Sequence, residues 1–185
     1  MTLGQSFTEV LAAARTGAEW AWRALYDDLA PPVLGYLRGR GVPDPEDALG
    51  EVFLQVVGGL GRFTGDESSF RSWVLTIAHR RAVDAHRRAA RRPAVPIAAD
   101  LLEAAGPQGD TEEEGLSRIE AARALEAIRS LSPDQQDVLL LRLMGGLTTE
   151  EIARIVGKKP GAVKALQRRG LATLRRKISG EGVSE

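Results

Sequence analysis

The sequence predicts an all-α protein made of two small helical domains joined by a flexible linker, the C-terminal one a helix-turn-helix domain. Apolar residues recur at spacings of three and four along most of the 185 residues, and no stretch keeps the period-two alternation of a strand. Capping residues, prolines and glycines divide these stretches at plausible helix ends. We expect domains at 1–92 and 113–185, with an acidic Ala/Pro/Gly-rich linker at 93–112.

Residues 18–29 begin the N-terminal domain with an amphipathic pattern that includes Leu25 and Leu29. Pro31-Pro32 is expected to interrupt this helix, because proline lacks the N–H that a helix interior needs. Asp44-Pro45 then predicts a new helix, with Asp44 as its N-cap and proline in the first helical position. That helix should end near Gly58-Gly59.

The last N-terminal helix is predicted from about Phe70 to Arg88, after a loop at 61–69. Phe70, Trp73 and Ile77 share one side of it, and arginines lie on a neighbouring side. The basic set that could hold a DNA backbone is Arg80, Arg87 and Arg88.

The C-terminal domain contains clear signals for the starts and ends of its helices. After a helix predicted around Leu116 to Ile128, Ser132 and Gln135 form a capping-box pattern, and Thr148 and Glu151 form a second one. The short helix after Thr148 is followed by a turn at Gly157, and Pro160 opens a last helix. A short capped helix, a glycine turn and a longer basic helix predict a helix-turn-helix.

The formal net charge is zero, with 25 basic and 25 acidic residues, but the charges are segregated. Residues 62–92 carry a net charge of +5, residues 93–128 a net charge of −6, and residues 157–178 a net charge of +8 without any acid. Basic segments of this kind attract polyanions such as nucleic acids. The alternative for residues 62–92 is an ordinary solvated helix face.

Several classes of protein are disfavoured. The chain has no cysteine, which removes disulfides and thiolate metal sites and suits a reducing cytoplasm. No apolar run reaches 18 residues, so we expect no membrane insertion, and the first ten residues do not resemble a secretory signal. His79 and His86 lack a metal-binding motif, and no phosphate loop or triad spacing stands out. We therefore expect no enzyme, no cofactor and no small-molecule substrate.

In a helix-turn-helix the second helix lies in the DNA major groove, and flanking cations hold phosphates. Lys164, Arg168 and Arg169 fall near one face of the last helix. Neutralising about six phosphates would give a log–log salt dependence with a slope of roughly −5. The predicted contacts to this DNA are Lys158, Lys159, Lys164, Ala165, Arg168, Arg169 and Arg175.

These motifs resemble those of bacterial RNA polymerase sigma factors. Leu131-Ser132-Pro133, Thr149 to Ala153 and Gly161 to Lys164 are similar to the domain that binds the promoter −35 element. Pro45 to Leu54 and Phe70 to Arg80 resemble the domain that binds core polymerase and opens the −10 element. Two domains in this length are similar to the extracytoplasmic-function (ECF) branch.

The resemblance implies roles for particular residues. The helix that starts at Asp44 would dock on the coiled coil of the polymerase β′ subunit, and the C-terminal domain would dock on the β flap. The linker would let the domains reach two DNA elements about 22 base pairs, or roughly 75 Å, apart. Lys164, Ala165, Arg168 and Arg169 would face the −35 element. The docking residues would be Asp47, Glu51 and Leu54, and the residues that capture an unpaired −10 base would be Phe63, Asp66, Ser68 and Phe70.

Two positions depart from the family pattern. Gly50 replaces a common glutamine and Arg80 a common asparagine, so one docking contact and the detailed −10 recognition do not carry over. The resemblance also implies a possible anti-sigma partner. A conventional helix-turn-helix regulator, which binds duplex DNA without polymerase, is the alternative function.

Overall fold

The computed structural model describes residues 6–91, 124 and 126–181, and within these residues it contains helices and no strand. This confirms the all-α prediction. The predicted linker at 93–112 and most of the helix predicted around Leu116 lie outside the described residues. The helices are α1 (Phe7–Arg15), α2 (Glu19–Gly39), α3 (Pro45–Leu60), α4 (Glu67–Arg91), α5 (Pro133–Leu143), α6 (Thr149–Val156) and α7 (Pro160–Glu181).

Helices α1 to α4 form the N-terminal group around one apolar core. Four side chains are almost completely buried there: Leu25 and Val33 of α2, Val52 of α3 and Val74 of α4. Helix α1 is fastened to this core through Phe7, whose ring centroid lies 5.6 Å from that of Phe70. Burial of these side chains, at about 25 cal/mol per Å² of apolar surface, is the main force that holds the group together.

The predicted break at Pro31-Pro32 is wrong, because α2 continues through both prolines to Gly39. Two interior prolines remove backbone hydrogen bonds and cost a helix about 3 kcal/mol or more. Leu29 and Val33, on either side of the prolines, are both buried in the core. The free energy gained by burying apolar side chains along α2 therefore outweighs the cost of the hydrogen bonds lost at the two prolines.

The starts of α3 and α4 differ in detail from the expectation. Asp44 occupies the N-cap position of α3, but its side chain makes no capping hydrogen bond. Helix α4 starts at Glu67 rather than Phe70, since the Asp66 carboxylate accepts the backbone N–H of Ser69 at 2.8 Å. The preceding loop is correspondingly shorter than expected.

Helices α5 to α7 form the C-terminal group, and the predicted helix starts and the glycine turn are confirmed. Both capping boxes are made, by Ser132 with Gln135 and by Thr148 with Glu151. Gly157 ends α6 in the left-handed region with φ 66°, which a residue with a Cβ rarely adopts. Helices α6 and α7 therefore form the predicted helix-turn-helix.

The two helical groups pack directly against each other. Helix α5 lies against α2, and α6 lies against α4. A Cβ placed on Gly39 would lie 2.5 Å from a methyl carbon of Leu140, and one on Gly145 would lie 2.4 Å from a methyl carbon of Leu75. Glycine thus permits close approach at both crossings.

Candidate nucleic-acid interface

The second helix of the helix-turn-helix, α7, presents a cationic face to solvent. Val163 on its opposite side is completely buried, and this anchors the helix and fixes which face points outward. Lys164, Arg168, Arg169 and Arg175 are exposed, as predicted for side chains that reach DNA, and Ala165 is half-buried between them. A helix with free cations on one side and an apolar anchor on the other can lie in a major groove.

The turn before α7 contributes two lysines with different surroundings. Lys159 is exposed. The Lys158 ammonium makes a 2.9 Å ion pair with Asp134 in the first turn of α5. Both partners are partly exposed to solvent, so the pair is weak and can exchange with a phosphate. The predicted −35 cations thus lie in the turn before α7 and along α7 itself, with Lys158 paired to Asp134 of its own domain.

The predicted −10 loop rests on a cluster of three aromatic side chains. The ring centroid of Phe63 lies 5.0 Å from that of Phe70 and 5.2 Å from that of Trp73. Phe63 is half-buried, so part of its side chain is accessible, whereas Phe70 is only 2% exposed. The expectation that Phe70 contacts a base is not met in this arrangement, because its side chain lies in the core beneath the loop.

Asp66 and Ser68 each have a hydrogen-bonding partner. Hydrogen bonds from Ser69 lower the pKa of Asp66, so this carboxylate caps α4 while remaining exposed to solvent. The Ser68 hydroxyl donates a 2.8 Å hydrogen bond to Oε1 of Glu151 in the C-terminal group. The candidate base-capture loop is therefore in contact with the helix-turn-helix.

Arg15 is a positioning residue that the sequence interpretation missed. Its guanidinium donates hydrogen bonds to the backbone carbonyls of Leu60 (3.3 Å) and Phe63. These bonds tie the end of α1 to the start of the loop. A lone arginine at a helix end carries no sequence signal for such a contact, because the partner atoms belong to the backbone 45 and 48 residues away.

The arginines of α4 divide into two sets. Arg80, Arg87 and Arg88 are exposed, as expected for residues that contact a DNA backbone. Arg81 turns inward and forms an ion pair with Glu51 of α3. This pair occupies one of the predicted polymerase-docking carboxylates, so Glu51 acts in the structure as a brace between α3 and α4.

Helix α3 displays an apolar strip that no other described helix covers. The side chain of Leu54 is 72% exposed and that of Val57 is 53% exposed. Asp47 is also exposed, two helical turns before Leu54 on the same side of the helix. Val57 was missed as a candidate residue, although its spacing of three from Leu54 places it on this face.

A buried polar cluster joins the two helical groups; we call Tyr36, Arg40, His79, Gln136 and Asp137 the interdomain polar cluster. Tyr36 donates to Asp137 Oδ1 at 2.6 Å, and Arg40 pairs with the same carboxylate at 2.8 Å and donates to Gln136 at 2.6 Å. Nδ1 of His79 lies 2.9 Å from the Tyr36 hydroxyl. Because the hydroxyl proton points to Asp137, His79 must be the donor in that contact.

The electrostatics of the cluster favour an ionised Asp137. Burial raises the pKa of this carboxyl, but the contacts from His79, Arg40 and Tyr36 outweigh burial and hold the pKa below its usual value. Burial, together with the neighbouring carboxylate, raises the pKa of Tyr36 well above 10.0. No local pattern in the sequence indicates this cluster, because its members come from three separate segments, with 43 residues between Tyr36 and His79 and 101 between Tyr36 and Asp137.

A metal site and a membrane span each have structural requirements, and the described residues meet neither. None of their histidines and acids forms a group of three or more that could hold a metal ion. Among the same residues, no helix is long and apolar enough to cross a membrane.

A cationic helix-turn-helix combined with a second helical group that bears a basic helix defines a DNA-binding transcription protein. The comparisons with known proteins agree with this class. The family model of Sigma-70 region 2 matches residues 25–92, and that of Sigma-70 region 4 matches residues 121–174. The chain belongs to the ECF family of RNA polymerase sigma factors.

The ECF RNA polymerase sigma factor SigD of Mycobacterium tuberculosis is 31% identical over 185 residues, which cover 97% of this chain and 87% of SigD. BldN of Streptomyces coelicolor, another ECF sigma factor, is 34% identical over 91% of this chain, and the match spans 64% of BldN. The solved structure of CnrH in complex with the cytosolic domain of CnrY shares the fold, with a TM-score of 0.68 and 21% identity over 95% of this chain and 99% of that one.

Proposed function

We propose that this chain binds core RNA polymerase, recognises the −35 and −10 elements of a promoter and promotes its opening. The observation that carries the proposal is the presence in one chain of the exposed cationic face of α7 and the exposed apolar strip of α3. The first is suited to phosphates and bases in a major groove. The second is suited to a partner protein, because exposed apolar side chains are buried when a protein interface forms.

The proposed residue roles follow the geometry. Lys159, Lys164, Arg168, Arg169 and Arg175 contact the −35 element directly, and Lys158 does so after exchanging Asp134 for a phosphate. The accessible part of the Phe63 side chain, with Asp66 and Ser68, receives a −10 base, and Arg80, Arg87 and Arg88 hold the strand next to it. Phe70 supports Phe63 from below. Asp47, Leu54 and Val57 dock on the β′ coiled coil, with Glu51 as the brace beneath them.

The C-terminal group docks on the β flap in this proposal, and the polymerase supplies all the catalytic groups. The protein then acts in the cytoplasm, where its DNA lies, without a cofactor or a small-molecule substrate. CnrH was solved with the cytosolic domain of CnrY. A regulatory protein partner of the anti-sigma type is accordingly proposed here too.

Reconstituted transcription tests the proposal. The purified chain should co-elute with core polymerase and direct run-off transcription from a promoter selected with the mixture. If the chain shifts duplex DNA by itself and neither binds core polymerase nor supports run-off transcription, it is a conventional helix-turn-helix regulator instead.

A further inference from the structure

Helix α1 contacts both ends of the candidate base-capture loop. The loop begins after Leu60, where α3 ends, and leads into the first turns of α4. Arg15, the last residue of α1, bonds to the backbone at the start of the loop, and Phe7, the first residue, packs against Phe70 at its other end. The two residues lie about 12 Å apart along the helix axis. One rigid helix therefore connects the two ends of the loop.

The position of α1 is itself fixed by packing. Its buried residues recur at the spacing of one helix face, and they are Phe7, Val10, Leu11 and Ala14. Immediately after the helix, the Thr16 hydroxyl donates a 2.8 Å hydrogen bond to the carbonyl of Ala13. The backbone that carries Arg15 is therefore held in place, although the arginine itself is exposed.

The two hydrogen bonds of Arg15 define the turn that leads into the loop. Nε donates to the carbonyl of Leu60 at 3.3 Å, and a terminal nitrogen donates to the carbonyl of Phe63. The same Leu60 carbonyl accepts the backbone N–H of Phe63 at 3.2 Å. Helix α3 has no basic residue in its own last turn, so Arg15 supplies the positive charge that stabilises a helix C-terminus. One guanidinium thus fixes both ends of the turn from Leu60 to Phe63.

The ring of Phe63 is also held from the other end of the loop. Its centroid lies 5.0 Å from that of Phe70, and the Phe70 centroid lies 5.6 Å from that of Phe7. A Cβ placed on Gly65 would lie 3.1 Å from Cζ of Phe63, so the loop backbone passes close to the ring. A side chain held in this way loses little conformational entropy when a base binds, and such preorganisation favours affinity.

We propose that Arg15 and Phe7 are positioning residues for the capture of the unpaired −10 strand, because α1 holds Phe63 where it can select a base. This inference rests on the proposed function. Neither residue needs to touch DNA, since Arg15 acts through the Phe63 carbonyl and Phe7 acts through Phe70. The apolar strip that docks on polymerase lies within α3, and the −35 cations belong to the other helical group. Both of those interactions should therefore be independent of Arg15 and Phe7.

Single-strand binding by the complex of this chain with core polymerase tests the proposal. The probes are the separate strands of the −10 element of a promoter selected with the mixture, and versions in which each base is replaced in turn. Arg15→Ala should lower affinity for the matched strand by about fivefold or more and bring the ratio of matched to mismatched affinity towards one. Arg15→Lys keeps a cationic donor and should recover part of both values. Arg23→Ala, which removes an exposed cation paired with Glu19, is the control for lost charge.

The salt dependence separates positioning from a direct contact. If Arg15 holds the loop, Arg15→Ala leaves the log–log salt slope unchanged, whereas loss of a phosphate contact reduces its magnitude by about 0.7 for a single strand. An equal loss for every strand with such a change in slope would overturn the proposal. Parental base preference in Arg15→Ala, or loss of its binding to core polymerase, would overturn it too. If the unsubstituted complex shows no preference for the matched strand, the proposed function fails instead.

A second variant tests the other end of α1. Phe7 is 4% exposed, so Phe7→Leu keeps an apolar side chain in the core and removes the ring that contacts Phe70. We expect a smaller loss of base preference than in Arg15→Ala, with parental affinity for core polymerase and for −35 duplex DNA. Circular dichroism establishes that the variant is folded. A folded Phe7→Leu variant with the full base preference of the parent contradicts the role of Phe7.

Discussion

The hydroxyl of Tyr36 donates a 2.6 Å hydrogen bond to Oδ1 of Asp137, across 101 residues of chain. The tyrosine belongs to the N-terminal group and the aspartate to the C-terminal group. Since both side chains are buried, the bond reports directly on whether the two groups are packed.

Tyr36→Phe keeps the buried ring and removes only the hydroxyl. We expect the free energy of unfolding to fall by about 2 kcal/mol, because a buried carboxylate loses one of its donors. Urea denaturation measures the change. Tyr26→Phe is the matched control: Tyr26, the other tyrosine of the chain, is 46% exposed. Equal losses for the two variants would rule out a special role for the Tyr36 hydroxyl.

Acid should open the packed arrangement. Asp137 has a lowered pKa when buried, and in the separated state it should titrate near its ordinary value of about 4. The closed form then binds fewer protons, so its stabilisation by Asp137 is complete above about pH 5 and is lost as the pH falls through the lowered value. Glu151 shifts in the same direction.

Fluorophores attached to Glu19→Cys and Ala172→Cys, at exposed positions of α2 and α7, measure this response by energy transfer, and circular dichroism follows the helix content. Energy transfer should fall as the pH drops from about 5 through the lowered pKa of Asp137, before the helices melt. The Asp137→Asn variant should be more open at neutral pH and should respond less to acid. The groups that face Asp137 are Arg40, His79 and Tyr36. If the variant and the parent respond identically to pH, a group other than Asp137 causes the effect.

Leu54→Ala should weaken binding to core polymerase by tenfold or more while leaving the fold intact. The side chain is 72% exposed, so its removal creates no cavity in the core. Affinity measured by anisotropy with labelled protein tests this. Gln55→Ala, an exposed neighbour on another side of α3, is the control and should bind normally.

Arg168→Ala should lower affinity for −35 DNA and reduce the salt slope by about one if the side chain holds a phosphate. A loss that depends on the DNA sequence, at about 1–3 kcal/mol, would indicate a base contact instead. Titrations at several salt concentrations separate the two. Arg23→Ala removes an exposed cation of α2 that pairs with Glu19, and it should change neither value.

Gly157→Ala should lower the free energy of unfolding by about 1 kcal/mol, because the position has φ +66° at the end of α6. Gly50→Ala is the informative contrast. It lies inside α3 with no atom within 4 Å of a new Cβ, so alanine should stabilise the helix by about 0.5–1 kcal/mol. Thermal unfolding of both variants measures the pair.

Local signals predicted the C-terminal group well. The capping boxes at Ser132 and Thr148 and the turn at Gly157 each involve residues within a few positions, and all three are present. The cationic face of α7 likewise follows from helical spacing and charge alone. Short-range patterns are therefore sufficient to place the helix-turn-helix in this chain.

Features that depend on distant partners could not be predicted in this way. Helix α2 passes through Pro31-Pro32 because core burial on both sides compensates for lost hydrogen bonds. Phe70, expected at a base, is buried. Asp137 has the sequence pattern of an ordinary acid near a helix start, and only the fold supplies its partners from α2 and α4.

The carboxylate of Glu151 completes the capping box of α6 and also receives the hydroxyl of Ser68. Releasing the loop therefore leaves the cap of α6 intact, since Thr148 still holds one oxygen when Ser68 departs. The helix-turn-helix therefore does not depend on the loop for the start of its first helix, and its shape is independent of whether Ser68 is bonded to it.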